Sequence, residues 1–129
     1  GTRFMLTREA PVHDHIKQAL LAADERDTAL IFRSLRNTAR VWRNAVAQEV
    51  VALENRPGGV AFEELRPLVA GARGREGLER GDPQHGLVWA GQCIGLIGDI
   101  PSCEELVTRM VQDCRSHLAR AQRLAAMAA

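Results

Sequence analysis

Tyrosine is absent from these 129 residues, and aromatic residues make up only 4% of the sequence. Proteins that bind RNA or single-stranded DNA commonly stack bases on aromatic side chains, so this scarcity disfavours nucleic-acid binding. The charge balance points the same way, because 17 basic and 16 acidic residues leave a formal net charge of only +1. Such a chain has no overall attraction to a phosphate backbone or to an anionic membrane. We therefore expect no nucleic-acid partner.

Lysine is almost missing as well. Sixteen of the 17 basic residues are Arg, and Lys17 is the only lysine. Because the chain is also rich in Ala and Gly, codon composition explains this bias more simply than sixteen selected anion contacts. Four arginines are spaced three or four residues apart and would share one face of a helix: Arg33, Arg36, Arg40 and Arg43. Such a group binds phosphates or acidic ligands, or forms a solvated face paired with acids such as Asp27 or Glu49. We favour the second interpretation.

Cysteines are few, and their spacing fits no metal or redox motif. There are three, Cys93, Cys103 and Cys114. An odd number without a Cys-x-x-Cys pair is typical of reduced thiols in a cytoplasmic protein. His13 and His15 are two residues apart, on different sides of a helix, so we expect no metal site. No apolar run approaches the ~20 residues of a membrane span, and no signal peptide is visible. We expect no membrane partner and a cytoplasmic location.

What the sequence does contain is the composition of one ordinary globular domain, with 46% apolar and 26% charged residues. Helical periodicity accounts for most of the chain, with no βαβ alternation and no internal repeat. We predict a single, mainly α domain over 1–129. It divides into a single strand over 1–7, a helical segment over 8–85, and a return segment with a long C-terminal helix over 86–129. The strand at Gly1–Leu6 lacks an evident partner, which is unusual because its backbone groups need one.

The chain is organised around the stretch from Gly86 to Ser102 and the helix that follows it. Ser102 is predicted as the N-cap and Glu105 as the third helical residue, a capping box that stabilises the helix start by about 1 kcal/mol. The helix is predicted to run to Met127, which makes it roughly 39 Å long. Its apolar residues form one stripe: Leu106, Val107, Met110, Val111, Cys114, Leu118, Ala121, Leu124 and Ala125. Three glycines in the preceding stretch indicate the close approach of another backbone or of a ligand: Gly91, Gly95 and Gly98.

The segment between the two ends is predicted from the same periodicity. Apolar residues at helical spacing predict helices over 13–23 and from Thr38 to Leu53, and a short one around Phe62–Val69. The stretch Asp27–Phe32 is predicted to be extended. Gly71–Gly81 holds too many glycines for a regular long helix, so we predict a loop with a turn or two of helix there. This loop lacks the ending of a phosphate-binding P-loop.

No catalytic constellation emerges from these residues alone. Spacing assembles no Ser/His/Asp or Cys/His set, so we assign no catalytic residue. Judged from its residues alone, the chain is expected to be a soluble, mostly helical, cytoplasmic protein, and the residues indicate little more about its function.

Three stretches, taken in order, resemble the C-terminal part of a known family. They are Gly1-Thr2-Arg3-Phe4, then Ala10-Pro-Val-His13 with Asp27 to Asn37, and then Trp89-Ala-Gly-Gln92 through Gly95 to Ser102. They are similar to the nitronate monooxygenases, formerly called 2-nitropropane dioxygenases, which are relatives of flavin-dependent enoyl reductases. The resemblance covers nearly the whole chain. It implies an FMN-binding (β/α)8 barrel with a helical domain inserted after a late strand.

The resemblance also implies a cofactor site. Gly1 and Thr2 correspond to the strand ending that helps hold the FMN phosphate in this family, and Gly91 and Gln92 are expected near the flavin. None of the four histidines matches the catalytic histidine of the family, so none inherits its role. In an intact enzyme of this kind, FMN accepts electrons from a nitronate, or from NAD(P)H in the reductase branch.

The chain departs from the family pattern at its start, because it begins where most of a barrel would already have been built. We therefore interpret it as a C-terminal fragment of a nitronate monooxygenase-like, FMN-dependent oxidoreductase, with 1–7 as a residual barrel strand. Alone, it is expected to bind FMN very weakly or not at all. Its long apolar stripe is expected to make it self-associate as a homodimer. The alternative is a stand-alone helical binding or interaction module without flavin.

Overall fold

The computed structural model describes residues 1–127, which form helices and one β-hairpin. The helices are α1 (Thr2–Met5), α2 (Asp14–Leu21), α3 (Ala45–Glu54), α4 (Phe62–Val69), α5 (Gly71–Arg80) and α6 (Cys103–Met127). The strands are β1 (Thr28–Ile31) and β2 (Ala39–Trp42), and a short 3₁₀ helix spans Gln92–Leu96. The helix-rich fold class is thus confirmed, while these two strands are all that the described part of the chain contributes to a sheet.

The hairpin is antiparallel, with Thr28 opposite Trp42 and Ile31 opposite Ala39. The return segment extends it, because the backbone N–H of Trp42 donates to the carbonyl oxygen of Val88 over 2.8 Å. Trp89 then forms an isolated bridge with Val41. The extended conformation predicted for Asp27–Phe32 is confirmed over Thr28–Ile31 but not at Phe32, whose φ is +60°. Residues 88–89 run along the outer edge of β2.

The helix predicted from Thr38 to Leu53 is wrong over its first seven residues. Residues Ala39–Trp42 form β2, and α3 begins only at Ala45. A helical spacing of apolar residues was present, but pairing with β1 satisfies the backbone of this segment instead. The side chain of Asn44 then caps α3 by accepting a hydrogen bond from the N–H of Ala47 over 2.9 Å.

The strand predicted at Gly1–Leu6 is also wrong. Thr2–Met5 form one helical turn, in which the N–H of Met5 donates to the carbonyl of Gly1 over 3.0 Å and that of Leu6 to Thr2 over 3.3 Å. Within the described residues no strand lies beside this segment, so its backbone groups are satisfied locally, by a turn. The prediction of a residual barrel strand over 1–7 is corrected accordingly.

The glycine-rich stretch predicted as a loop is the regular helix α5. Gly74 of this helix lies against the return segment, since a Cβ on Gly74 would be 3.3 Å from the carbonyl oxygen of Leu87, and a Cβ on Gly86 would be only 2.7 Å from the Cα of Gly74. The helix ends at Gly81, whose φ of +74° is in the left-handed region that favours glycine. The return segment therefore passes over α5 at backbone distance.

Two apolar clusters form the core. The first joins the chain start, α2 and the return segment: Leu6, Ile16, Leu20, Val88, Ala90, Ile94 and Ile97. The second joins the hairpin, α3 and α4: Ile31, Val41, Val46, Ala47, Val50, Leu65 and Leu87. The short helix predicted at Phe62–Val69 is confirmed as α4, and the helix predicted over 13–23 as α2, which His13 caps by accepting from the N–H of His15 over 3.1 Å.

The predicted capping box at the start of α6 is confirmed. The hydroxyl oxygen of Ser102 accepts from the N–H of Glu105 over 3.1 Å, and the Glu105 carboxylate accepts from the N–H of Ser102 over 2.7 Å. Of the 25 residues of α6, however, Leu106 is the only one that is buried. The helix leaves the body of the protein after its first turns. Neither α6 nor any other helix in residues 1–127 combines the length and apolarity that crossing a membrane requires.

Candidate functional site

A cavity of about 430 Å³ lies where the start of the chain meets the return segment. It is lined by Gly1, Thr2, Met5, Arg40, Trp89, Ala90 and Gly91. Three regions that are far apart in sequence supply these residues: α1, strand β2 and the segment after Leu87. No acidic side chain is among them, and Arg40 is the charged side chain of the lining.

One hydrogen bond joins two of the regions. The backbone N–H of Gly91 donates to the hydroxyl oxygen of Thr2 over 2.9 Å. Thr2 itself is buried. A hydroxyl is both donor and acceptor. Since the oxygen of Thr2 already accepts from Gly91, its own hydrogen stays available to an anion in the cavity.

A second contact fixes α1 against the return segment. The guanidinium of Arg3 donates to the backbone carbonyl of Asp99 over 2.8 Å and also to its carboxylate. The other carboxylate oxygen of Asp99 accepts from Arg109 of α6 over 2.6 Å. Hydrogen bonds from Arg109 first, and from Arg3, hold the pKa of the Asp99 carboxyl below its ordinary value, against a smaller effect of desolvation. Asp99 therefore links both ends of the chain beside the cavity.

Arg40 is the positively charged side chain in the cavity lining. It lies on β2 opposite Leu30, and one of its terminal nitrogens donates to the hydroxyl oxygen of Thr28 over 2.8 Å. A guanidinium carries five N–H donors in a rigid fork that matches phosphate oxygens. Within the described residues Arg40 has no carboxylate partner, whereas Arg43 pairs with Asp27 over 3.3 Å. Donors of Arg40 are thus left for a ligand.

The structure brings together three of the four residues for which the resemblance implied a cofactor role. Gly1, Thr2 and Gly91 line the cavity. Gln92 begins the 3₁₀ helix next to Gly91 but is exposed and outside the lining, and its role stays a prediction. Sequence reasoning missed Trp89 and assigned Arg40 to a helical stripe. The spacing of the arginines carried a signal, but their helix does not exist.

The other candidate sites have less support as binding sites. A cavity of about 500 Å³ is lined by residues of both charge signs, among them Arg8, Lys17, Asp14 and Glu79. The buried ammonium of Lys17 donates to the carbonyl of Arg8 over 3.2 Å, which is a structural contact. The three cysteines are free thiols. Across residues 1–127, no three His, Cys, Asp or Glu side chains gather closely enough to hold a metal ion.

Comparison with known proteins identifies the relatives of this arrangement. Residues 1–113 match the family model described as nitronate monooxygenase. A curated protein of Mycobacterium tuberculosis, (3aS,4S,5R,7aS)-5-hydroxy-7a-methyl-1-oxo-octahydro-1H-indene-4-carboxyl-CoA dehydrogenase, is 25% identical over 158 residues, which cover 96% of this chain and 44% of that protein. The dehydrogenase of the same name from Rhodococcus jostii is 23% identical over 88% of this chain and 42% of its own length.

Among solved structures, FabK from Thermotoga maritima superposes with a TM-score of 0.81 at 25% identity. The match covers 95% of this chain and 38% of that one. The chain thus spans less than half the length of the relatives it matches. The nitronate monooxygenase and FabK families are both flavin-dependent.

Proposed function

This chain belongs to the nitronate monooxygenase family, and we propose that it is the C-terminal part of an FMN-dependent oxidoreductase. In this proposal the cavity formed by Gly1, Thr2, Arg40 and Gly91 holds the phosphate of the flavin. The observation that carries the proposal is the 2.9 Å hydrogen bond from Gly91 to Thr2. It joins the two segments for which the sequence resemblance implied a flavin role, beside a guanidinium with free donors.

The donors fit a phosphate group. A phosphate dianion is bound by N–H and O–H donors and by the planar fork of arginine. The cavity offers the hydroxyl of Thr2 and the guanidinium of Arg40, and no acidic side chain in the lining repels an anion. The side chain of Trp89 is 55% exposed and adds an apolar wall to the same cavity.

When bound, FMN supplies the electron acceptance, from a nitronate or from NAD(P)H. The work of this chain is to bind and orient. The bond from Gly91 to Thr2 fixes the hydroxyl, and the bond from Arg40 to Thr28 fixes the guanidinium. Donors held in place in this way lose little freedom when a ligand arrives. Nitronate is proposed as a substrate because the family model is that of the nitronate monooxygenases. The two curated relatives are named as dehydrogenases of a CoA ester.

The test compares FMN, riboflavin and inorganic phosphate as ligands of the 129-residue chain. Amide signals are followed by two-dimensional NMR as each ligand is added. We expect FMN and phosphate to shift the Gly91 signal with a dissociation constant well above the micromolar range, because the flavin ring finds few walls here. Riboflavin, which lacks the phosphate, should leave the Gly91 signal unchanged.

Two variants and a matched control sharpen the result. Arg40→Met and Thr2→Val should each abolish the shift. Arg43→Met, on the same hairpin but outside the cavity lining, should preserve it. Equal binding of riboflavin and FMN, or no response of Gly91 to either phosphate-bearing ligand, would contradict a phosphate site and favour a flavin-free interaction module. Saturable micromolar FMN binding would contradict the expectation that this chain holds only the phosphate.

A further inference from the structure

The close approach predicted from three glycines of the return segment is confirmed at Gly95. A Cβ on Gly95 would lie 2.7 Å from the backbone nitrogen of Glu25 and 2.8 Å from its carboxylate oxygen Oε2. At Gly91 the nearest atom would be the sulfur of Cys93 at 3.5 Å, an ordinary contact, and at Gly98 nothing would lie within 4 Å. The 3₁₀ helix that contains Gly95 therefore packs against the backbone at Glu25 at a distance that requires glycine.

The turn that Gly95 contacts is held by its own hydrogen bonds. The backbone N–H of Asp24 donates to the carboxylate of Asp27 over 3.0 Å, and the N–H of Asp27 donates to the carbonyl of Asp24 over 3.0 Å. The carboxylate of Asp24 also accepts from the N–H of Arg26 over 2.7 Å. The backbone N–H of Arg43 donates to the carbonyl of Asp27 over 2.9 Å and so attaches the turn to the hairpin. A turn held in this way transmits a displacement of one of its residues to the others.

The same turn determines the position of Thr28, the first residue of β1. The hydroxyl of Thr28 donates to the carbonyl oxygen of Glu25 over 3.3 Å. Its oxygen accepts from a terminal nitrogen of Arg40 over 2.8 Å. Because a hydroxyl has a single hydrogen, the bond to Glu25 fixes the direction of the lone pairs that Arg40 uses. Glu25 thus contacts Gly95 through its nitrogen and, through its carbonyl, orients the group that holds Arg40.

We propose that Gly95 is a positioning residue for the guanidinium of Arg40, acting through Glu25 and Thr28. Its consequence for phosphate rests on the function proposed above. A side chain at Gly95 would push the backbone of Glu25 away by about 0.7 Å, the difference between 2.7 Å and the 3.4 Å at which ordinary contact begins. The carbonyl of Glu25, the hydroxyl of Thr28 and the guanidinium would move in turn. Gly95 is outside the cavity lining, so its effect on a phosphate is indirect.

The first test observes Arg40 in the 129-residue chain without any ligand. Its Nε–H signal is identified by its absence in Arg40→Lys, and the heteronuclear NOE of that signal reports how mobile the guanidinium is. We expect Gly95→Ala to shift the signal and to lower its NOE. Gly98→Ala is the matched control on the same segment and should change neither. An Arg40 that is already mobile in the wild type, or that is unchanged in Gly95→Ala, would overturn the proposal.

A second pair of variants tests the same connection without overpacking. Thr28→Val removes the hydroxyl and should mobilise Arg40, whereas Thr28→Ser keeps the hydroxyl and should leave Arg40 ordered. Circular dichroism verifies that each variant is folded. If Gly95→Ala does not fold, this pair decides, and an Arg40 as ordered in Thr28→Val as in the wild type overturns the proposal.

The last measurement determines whether Gly95 acts on phosphate through Thr28. The dissociation constant of inorganic phosphate is obtained from the Gly91 amide signal. Gly95→Ala and Thr28→Val should each raise it roughly fivefold, and the double variant should bind about as well as Thr28→Val alone, because the connection to Arg40 is already broken there. If the two effects multiply instead, the proposal is overturned. Absence of phosphate binding by the wild type contradicts the function proposed above, whereas the measurement on ligand-free Arg40 still decides whether Gly95 positions it.

Discussion

The backbone N–H of Gly91 and the hydroxyl oxygen of Thr2 lie 2.9 Å apart, although 89 positions separate the two residues along the chain. This bond attaches the first helical turn to the return segment and forms one wall of the cavity that also contains Arg40. The same two residues are thus part of both the fold and the proposed phosphate site. A change at either position therefore needs a stability measurement beside any binding measurement.

The first prediction separates these two roles. Thr2→Val keeps the shape of the side chain but removes the acceptor for Gly91, and should lower the free energy of unfolding by about 1 kcal/mol. Thr2→Ser keeps the hydroxyl and should lose only the small contribution of a methyl group. Urea unfolding monitored by circular dichroism measures both. If the two variants lose equal stability, the bond to Gly91 contributes nothing.

Asn44 is the second test position. It is buried, and besides capping α3 its amide nitrogen donates to the carbonyl oxygens of Pro83 over 2.9 Å and Gly86 over 2.7 Å. Asn44→Ala should cost about 2–4 kcal/mol, since the cap is lost and two carbonyls lose their donor. Asn44→Asp retains the cap acceptor but aims a carboxylate at the two carbonyls. We expect it to unfold at nearly as low a urea concentration as the alanine variant. Full stability of Asn44→Asp would rule out a role for the two donated bonds.

The third prediction uses two glycines of the return segment. A Cβ on Gly86 would meet three backbone atoms of α5 at 2.7–2.9 Å, whereas a Cβ on Gly98 would have nothing within 4 Å. Gly86→Ala should therefore destabilise the chain by about 1–3 kcal/mol through overpacking. Gly98→Ala, the matched control, should be neutral or slightly stabilising because it restricts the unfolded chain. Thermal unfolding of both variants checks this, and similar midpoints would refute the close approach of the return segment to α5.

How far the sequence could predict this fold depended on whether local signals and tertiary packing agreed. At Ser102 and Glu105 the capping residues and the apolar period agreed, and the helix start was predicted correctly. At Ala39–Trp42 a helical period was present, but pairing with β1 prevailed. On α5 the glycines predicted a loop. Nothing in the sequence reveals that the backbone at Gly86 passes so close to Gly74 that a side chain would not fit between them. Close backbone approach is a property of two segments, and one segment cannot show it.

The site was predictable to a smaller extent. Thr2 and Gly91 entered through the family resemblance, and the structure places them in contact. Arg40 was noticed only as one of four spaced arginines. Its position in the cavity follows from the register that sets it opposite Leu30 on the hairpin. That register could not be derived, because the segment was read as a helix. Of the two acids named as possible partners of the four arginines, Asp27 pairs with Arg43.

The last prediction concerns pH and the junction between the two ends of the chain. The ordinary pKa of an aspartate is 3.8, and the hydrogen bonds from Arg109 and Arg3 hold the pKa of Asp99 below it in the folded protein. A lowered folded pKa means that the unfolded chain binds the proton more readily. The stabilisation is therefore complete above pH 3.8 and is lost as the pH falls through the folded pKa. The contribution of Glu105 to stability depends on pH in the same direction, since the hydrogen bond from the backbone N–H of Ser102 lowers the pKa of Glu105 from the ordinary 4.5.

Asp99→Asn isolates the contribution of Asp99. At pH 7 it should unfold at a lower urea concentration than the wild type, because Arg3 and Arg109 lose their shared carboxylate. As the pH falls through the lowered pKa, Asp99 in the folded wild type becomes neutral as well, so the two unfolding midpoints should converge. The control is Asp113→Asn, on the same helix as Arg109 but without an ion pair in residues 1–127, which should follow the wild type at every pH. A difference between Asp99→Asn and the wild type that stays constant down to the lowest pH would show that packing, and not the charge of Asp99, holds the two ends of the chain together.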